Sequence, residues 1–137
     1  MRKQSLGFFF SEDRERVVLK RDPEGFFDGI MGQVKDDERE RYAIIREFYH
    51  YTAVETYLED WKFFGTYDAN TGQRVTMIPP KGDKLIYTFY TFGNVWDAMS
   101  VEDPIQVFDV HQLDGYNIRD CAKDLIKEIL TTIKNDR

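Results

Sequence analysis

Apolar and polar positions follow two periods along the chain, and together they predict a mixed α/β fold. Short apolar runs bounded by polar turns are typical of strands. They occur at Ser5–Phe10, Val17–Leu19, Trp61–Tyr67, Arg74–Ile78, Lys84–Phe92 and Ile105–Val110. Between the second and third of these runs, the glycine-rich segment Gly25–Val34 predicts a loop that leads into a further short strand.

Two other segments have the three- and four-residue spacing of amphipathic helices. The first extends from Glu38 to about Ala53, and its apolar stripe consists of Tyr42, Ile45, Phe48 and Tyr49. The second follows the N-cap candidate Asn117, and its apolar positions are Ile118, Cys121, Ala122, Leu125, Ile126, Ile129, Leu130 and Ile133. Cys121 is therefore predicted to pack inertly on the apolar face. The length suits a single domain over residues 1–137.

Composition and charge exclude several classes of function. With 42% hydrophobic and 15% aromatic residues, the chain is not of the disordered type. Lys and Arg number 19 against 25 Asp and Glu, so the net charge is −6, and a broad positive field for nucleic acid or anionic membranes is absent. No apolar run approaches the roughly 20 residues that span a bilayer. With a single cysteine, we expect a cytoplasmic protein without membrane association or non-specific nucleic-acid binding.

The segment from Gly32 to Val54 carries the candidate chemistry. Five residues separate Gly32 from Glu38, and seven more separate Glu38 from Arg46-Glu47-Phe48. This spacing resembles the first half of the Nudix box, which continues with two adjacent glutamates and a closing glycine. Here the glutamate positions are held by His50 and Tyr51, and the glycine position by Ala53. The stretch from Ile105 to Leu113, followed by a C-terminal helix, is also similar to that family.

The resemblance implies an α-β-α sandwich, in which a mixed sheet lies between the box helix and the C-terminal helix. In the family, the box glutamates hold Mg²⁺ or Mn²⁺ for hydrolysis of a diphosphate bond. Positions i, i+3 and i+4 share one helix face, so Glu47 keeps one carboxylate while positions 50 and 51 have lost theirs. Glu47 and His50 are the metal candidates, although imidazole suits zinc, nickel or copper better than magnesium. Mg²⁺ or Mn²⁺ is the expected cofactor if the protein is active, and none otherwise.

The resemblance also suggests supporting and catalytic residues. Glu38 and Arg46 match residues that brace the loop and orient the catalytic Glu47. Gly32 matches a position where the backbone passes close to the metal and substrate. From the loop before the last strand, Glu102 is the candidate for a further base or metal ligand, with a solvated loop carboxylate as the structural alternative.

Substrate contacts are expected from the segment before the box. In relatives a basic pair after the second strand meets ligand phosphates, and here that pair is Lys20 and Arg21, although a solvated strand end is equally consistent. Phe26 and Phe27 lie on a loop beside Gly25, where they could stack on a nucleobase. Their structural alternative is core packing, which large aromatic side chains commonly provide.

Three functions remain open from the sequence. The first is recognition of a nucleoside diphosphate linked to another moiety, with pyrophosphohydrolase activity weak or lost at His50 and Tyr51. The second is a divergent but active Mg²⁺- or Mn²⁺-dependent hydrolase of diphosphate bonds that uses Glu47 and Glu102. The third is a protein-interaction module, such as a homodimer, in which His50 and Tyr51 close the cleft.

Overall fold

The computed structural model describes residues 3–75, 84–98 and 104–135, where seven strands form one mixed sheet between helices. The strands are β1 (Lys3–Ser11), β2 (Arg16–Arg21), β3 (Phe27–Asp28), β4 (Ile30–Gln33), β5 (Lys62–Asp68), β6 (Leu85–Gly93) and β7 (Ile105–Asp109). The helices are α1 (Glu40–Thr52), α2 (Val95–Ala98) and α3 (Asp120–Asn135), and short 3-10 turns lie at Leu58–Asp60 and Leu113–Gly115. The predicted α/β class is confirmed. Within the described ranges, no helix is long and apolar enough to cross a membrane.

Strand β1 is the centre of the sheet. It pairs in parallel with β6 along its whole length, from Lys3 opposite Leu85 to Ser11 opposite Gly93. Its other edge is shared by β4, which lies antiparallel to Gln4–Gly7, and by β2, which lies antiparallel to Phe9 and Phe10. β5 follows β6, while β3 and β7 both pair with β2. Both edges of β1 are therefore hydrogen-bonded.

Alternate side chains of β1 belong to two separate cores, as the two-residue period of a strand requires. Leu6, Phe8 and Phe10 pack in the core that contains Ala122, Ile126 and Ile129 of α3. Phe9 packs in the core that contains Ile44 and Phe48 of α1 together with Trp61. At Gly7 a Cβ would lie 2.5 Å from Ile44 Cδ1, so the missing side chain allows α1 to approach β1 closely.

The buried face of α1 differs from the predicted stripe. The helix buries Ala43, Ile44, Phe48 and Thr52, whereas Tyr42 and Tyr49 are 49% and 51% exposed. A tyrosine combines an apolar ring with a hydroxyl that tolerates water, so it does not identify the buried side of a helix. The four-residue step from Ile44 through Phe48 to Thr52 defines that side instead.

The C-terminal end of α1 has a left-handed backbone at Ala53, with φ 59° and ψ 16°. The Ala53 amide donates a hydrogen bond to the carbonyl oxygen of Tyr49 over 2.8 Å. Thr52 supports the same turn, because its hydroxyl donates to the carbonyl oxygen of Phe48 over 2.6 Å and accepts from the amide of Val54. The helix therefore closes with a motif that usually carries glycine.

Three further expectations need correction or restriction. α3 begins at Asp120 rather than directly after Asn117, because the Asn117 side chain donates to the carbonyl oxygen of Gly25 and its own carbonyl accepts from the amide of Phe27. Cys121 is exposed rather than packed in the apolar face. The predicted strand Arg74–Ile78 is described only in part: Arg74 forms a single antiparallel bridge with Tyr67, and residues 76–78 lie outside the described ranges.

Replacement of Phe48 by alanine tests this assignment of the buried face. Phe48 is fully buried against Phe9 and Trp61, with ring centroids 5.0 and 5.3 Å away. We expect Phe48→Ala to lower the free energy of unfolding by about 3–5 kcal/mol in urea denaturation. The matched control Tyr49→Ala should change it by only about 0.5 kcal/mol. Equal losses in the two variants would contradict the assignment.

Candidate functional site

The segment before α1 and the helix itself meet at Gly32 and Glu47. Gly32 is buried on β4, and a Cβ added there would lie 2.6 Å from the carboxyl carbon of Glu47 and still closer to its Cγ. Such distances are sterically excluded for real side chains, so only glycine lets the Glu47 side chain lie against this strand. The Glu47 side chain is 17% exposed in that position.

Arg46 joins the helix, the preceding loop and β4 through one guanidinium group. Its Nε donates to Glu38 Oε2 over 2.9 Å, and its Nη2 donates to Glu38 Oε1 over 3.0 Å and to the carbonyl oxygen of Gln33 over 2.8 Å. Its Nη1 donates to Glu47 Oε1 over 2.5 Å. The hydrogen bond from Arg46 holds the pKa of Glu38 below its ordinary value, and the same bond, with Glu47, raises the pKa of Arg46. The structure thus brings together the four residues that the sequence spacing identified, which are Gly32, Glu38, Arg46 and Glu47.

The two positions that follow on the same helix carry no carboxylate. His50 is exposed, and its ring lies edge-on against Tyr51 with centroids 4.8 Å apart. Tyr51 is half-buried, and the Nζ of Lys20 lies 4.5 Å from the centre of its ring. A cation over an aromatic face at this distance is attracted by the ring quadrupole. Lys20, a candidate phosphate contact from the sequence, is therefore placed on Tyr51.

A magnesium or manganese ion does not fit this set of residues. Magnesium needs several oxygen ligands in near-octahedral geometry, but one Glu47 oxygen already accepts a hydrogen bond from Arg46. Across the described ranges, no group of three or more His, Cys, Asp or Glu side chains is arranged to hold a metal ion. The candidate ligand Glu102 lies outside the described residues.

The remaining substrate candidates form contacts at a different place. Phe26 lies beneath the guanidinium of Arg119, 4.4 Å from its carbon, and Arg119 in turn pairs with Asp22 at 2.9 Å. Phe27 stacks edge-on against Phe108 at 4.8 Å and packs against the α3-side core, with the Arg21 guanidinium 5.9 Å from its ring centre. These contacts tie the β3 region to the start of α3 rather than to Glu47.

A cavity of about 150 Å³ lies on the α3 side of the sheet, and the sequence analysis did not identify it. Met31 lines it and belongs to the α3-side core, while the next residue, Gly32, faces Glu47 on the α1 side. Its apolar lining includes Leu6, Met31, Ile86, Ala122 and Leu125, and its acidic lining consists of Asp28, Asp68, Asp124 and Glu128. No lysine or arginine is among the described lining residues.

Two hydroxyl groups, on residues that line this cavity, are buried from solvent and have no hydrogen-bond partner among the described residues. They are Thr88 Oγ1 and the phenolic oxygen of Tyr67, in side chains that are 0% and 7% exposed. An unpaired buried polar group costs about 1–3 kcal/mol, so each of these two hydroxyls lowers the stability of the folded protein. One feature of the sequence indicates this position. Thr88 is a polar residue within the alternating apolar row Ile86, Tyr90 and Phe92, which packs on the α3 side.

Asp28 connects the cavity with the Lys20 side of the site. It lines the cavity, and it lies opposite Lys20 in the pairing of β2 with β3. Burial raises the pKa of Asp28 to about 6, against the smaller opposing effects of the hydrogen bond from the Gly29 amide and the charges of Arg119 and Lys20. A carboxyl group that titrates near neutrality therefore lies beside the cavity.

Comparisons with known proteins place the fold. No protein-family model matches the chain, and no curated protein matches it significantly. Among solved structures, a MutT/Nudix family protein from Listeria innocua is similar with a TM-score of 0.70 at 16% identity, covering 98% of this chain and 95% of that one. The Nudix domain of Shewanella oneidensis NrtR, complexed with ADP ribose, gives 0.71 at 13% identity, with 96% and 87% covered. The dihydroneopterin triphosphate pyrophosphohydrolase of E. coli gives 0.65 at 12% identity, with 95% of both chains covered.

The close approach of Gly32 to Glu47 predicts a strong coupling between these positions. Gly32→Ala should lower the free energy of unfolding by about 1–3 kcal/mol, since the added methyl group overlaps the Glu47 side chain. In a Glu47→Ala background most of that loss should disappear, because only the Glu47 Cβ remains, 3.1 Å from the new methyl group. Denaturation of both single variants and the double variant measures the coupling. Simple additivity would show that the two residues do not meet.

Asp28 predicts a characteristic pH dependence of stability. Its pKa is about 6 in the folded protein and 3.8 ordinarily, so the folded state binds the proton more tightly. The resulting stabilisation is complete below about pH 4 and is lost as the pH rises to about 6. Asp28→Asn removes this dependence while keeping an acceptor for Gly29, and it should be more stable than the wild type at pH 7 by up to about 3 kcal/mol. Melting temperatures of the wild type and Asp28→Asn are measured from pH 4 to 8. If the two proteins change in parallel over this range, the prediction is wrong.

Proposed function

The chain has the Nudix fold, and from that premise we propose that it binds a nucleotide-type small molecule without metal-dependent hydrolysis of a diphosphate. The observation that carries the proposal is the set of side chains at positions 47, 50 and 51 of α1. Of positions 47, 50 and 51, only the first is a carboxylate, and it is hydrogen-bonded to Arg46. The last is an aromatic ring covered by the ammonium group of Lys20.

Hydrolysis of a diphosphate requires neutralisation of charge on both phosphoryl groups and activation of a water molecule, and divalent ions in carboxylate sites supply both. A single glutamate paired with arginine does not provide the oxygen ligands that such ions need. The hydroxyl of Tyr51 and the exposed imidazole of His50 do not replace them. Glu38, Arg46 and Glu47 then act as a structural clasp between the loop and α1.

The cavity on the α3 side supports ligand binding. It combines an apolar lining with a few polar groups, as small-molecule sites commonly do. Lys20 is opposite the cavity-lining Asp28 in the pairing of β2 with β3, while its ammonium group lies over Tyr51 on the α1 side of the sheet. The ADP ribose complex of the NrtR Nudix domain is a precedent for nucleotide-type ligands in this fold. Phe26, Phe27 and Arg21 hold the β3 region in this proposal.

Calorimetry and product analysis test the two halves of the proposal. We expect at least one of ADP ribose, nucleotide sugars, dinucleotides and nucleoside triphosphates to bind without Mg²⁺ or Mn²⁺, and turnover with metal to stay far below the roughly 1–1,000 s⁻¹ of ordinary enzymes. Metal-dependent turnover at such rates that is lost in Glu47→Gln would overturn the loss of hydrolysis. Absence of binding across the panel would overturn the ligand half.

A gain-of-function control isolates positions 50 and 51. The double variant His50→Glu with Tyr51→Glu restores carboxylates at i+3 and i+4 from Glu47, and it should bind Mn²⁺ in calorimetry where the wild type does not. Adding Glu47→Gln to that variant should weaken the new binding. Equal Mn²⁺ binding by wild type and double variant would show that these two positions do not decide metal binding.

A further inference from the structure

We propose that the exposed face of α1, together with the turn that follows the helix, binds a second copy of this chain in a two-fold symmetric dimer with antiparallel α1 helices. The proposal goes beyond the proposed function, because this surface lies on the α1 side of the sheet and ligand binding in the α3-side cavity does not depend on it. We call the surface the tyrosine face, and its members are Tyr42, Ile45, Tyr49, Tyr57, Leu58 and Phe63.

Large apolar side chains that are exposed to solvent are concentrated on the tyrosine face. Of the seven such side chains among the described residues, five belong to it, and the other two are Trp96 and Tyr116. The four aromatic rings of the face are 49–60% exposed, and Leu58 is 38% exposed. A single exposed apolar side chain is ordinary, whereas a contiguous apolar patch marks an interaction surface.

The members of the tyrosine face are contiguous although they come from different elements. Tyr42, Ile45 and Tyr49 follow the three- and four-residue steps of one helix face. Ile45 and Tyr49 also line a surface groove together with Tyr57 from the segment after the helix. The helix and the turn therefore present one continuous apolar surface.

Phe63 extends this surface towards β6. Its ring centre lies 5.5 Å from that of Phe89, and the guanidinium carbon of Arg41 on α1 lies 5.5 Å from the same ring centre. An aromatic side chain has about 150–250 Å² of surface, so the half-exposed rings together present on the order of 400 Å². That area supplies the apolar half of the roughly 800 Å² that each partner contributes to a stable interface.

The spacing of residues on α1 fits a two-fold axis that crosses the helix near its middle. Tyr42 and Tyr49 are placed symmetrically about a point next to Ile45, close to the centre of the helix Glu40–Thr52. An antiparallel copy therefore places Tyr42 of each chain against Tyr49 of the partner subunit, with Ile45 beside the axis. A two-fold interface uses the same surface on both chains, and this surface meets that requirement.

The two ends of the tyrosine face carry charges of opposite sign. Arg39 is exposed at the N-terminal end of α1, and Glu55 is exposed beyond its C-terminal end, where it lines the groove of the face. The antiparallel arrangement brings Arg39 of each chain towards Glu55 of the partner subunit, so the charges are complementary at two places. Near the axis, the Arg46 guanidinium is paired with Glu38 and Glu47, and it therefore does not repel its copy. The face is complementary to itself.

Sedimentation equilibrium tests the association directly. At about 100 μM protein we expect a mass of twice 16.3 kDa, with dissociation at low micromolar concentration, the weak end for an interface of this size. Denaturation experiments at about 0.1 μM then measure the monomer. A mass of 16.3 kDa at every concentration up to about 1 mM would overturn the proposal and leave the face to a different partner.

Tyr49→Glu and Tyr57→Glu test which surface is used. Each places a carboxylate within the apolar contact, so the dissociation constant of the dimer should rise by at least about 30-fold. The matched control is Trp96→Glu, at an equally exposed aromatic residue outside the tyrosine face, and its dissociation constant should be unchanged. Circular dichroism compares the folds of the variants. Wild-type association in both tyrosine variants would overturn the proposal.

Charge reversal tests the antiparallel arrangement. Arg39→Glu and Glu55→Arg each create two like-charge contacts, so each variant alone should dimerise about 3–10-fold more weakly than the wild type. An equimolar mixture of the two variants should regain the wild-type affinity, because both contacts between unlike variants again join opposite charges. Sedimentation of the single variants and of the mixture measures this recovery. If the mixture associates no more tightly than the single variants, the antiparallel dimer is wrong.

Discussion

The structure depends on one strand whose two faces and two edges are all covered. β1 pairs with β6 on one edge and with β2 and β4 on the other, and its alternate side chains enter different cores. A one-residue shift in its register would exchange the two cores completely. This constraint also separates the chemistry: on neighbouring β4, Gly32 faces Glu47 while Met31 faces the cavity. The clasp around Arg46 and the cavity are thus kept apart by the thickness of a sheet.

The sequence predicts those parts of the molecule that local spacing encodes. Gly32, Glu38, Arg46 and Glu47 come together because helix and loop geometry convert their separations directly into contacts. The same reasoning gave the wrong buried face for α1, since Tyr42 and Tyr49 count as apolar although half of each is exposed. The spacing of residues along the sequence did not indicate the cavity because five strands, a turn and α3 jointly line it, and no local pattern contains that information. In the sequence only Thr88 indicates the cavity, because it is a polar residue in the apolar row of β6 that packs on the α3 side.

The aromatic ring of Tyr51 sets the electrostatic character of the α1 surface beside Lys20. The Lys20 ammonium lies over the Tyr51 ring, an arrangement worth about 0.5–2 kcal/mol depending on its exposure to water. Two anionic positions beside Lys20 would hold that cation more strongly and would also attract metal ions. The ring packs against the α1-side core and brings no negative charge to this surface.

The left-handed residue at the end of α1 shows how firmly the cores hold this helix. A residue other than glycine in that conformation carries a backbone penalty of about 1–3 kcal/mol and persists only where its surroundings over-determine it. Ala53 keeps the conformation because Phe48, five residues earlier, and Thr52, the preceding residue, are buried and Thr52 bonds across the turn. Tertiary packing therefore dictates the route of the chain out of α1. The strain at Ala53 lowers the stability of the folded state, and glycine at this position would remove that strain.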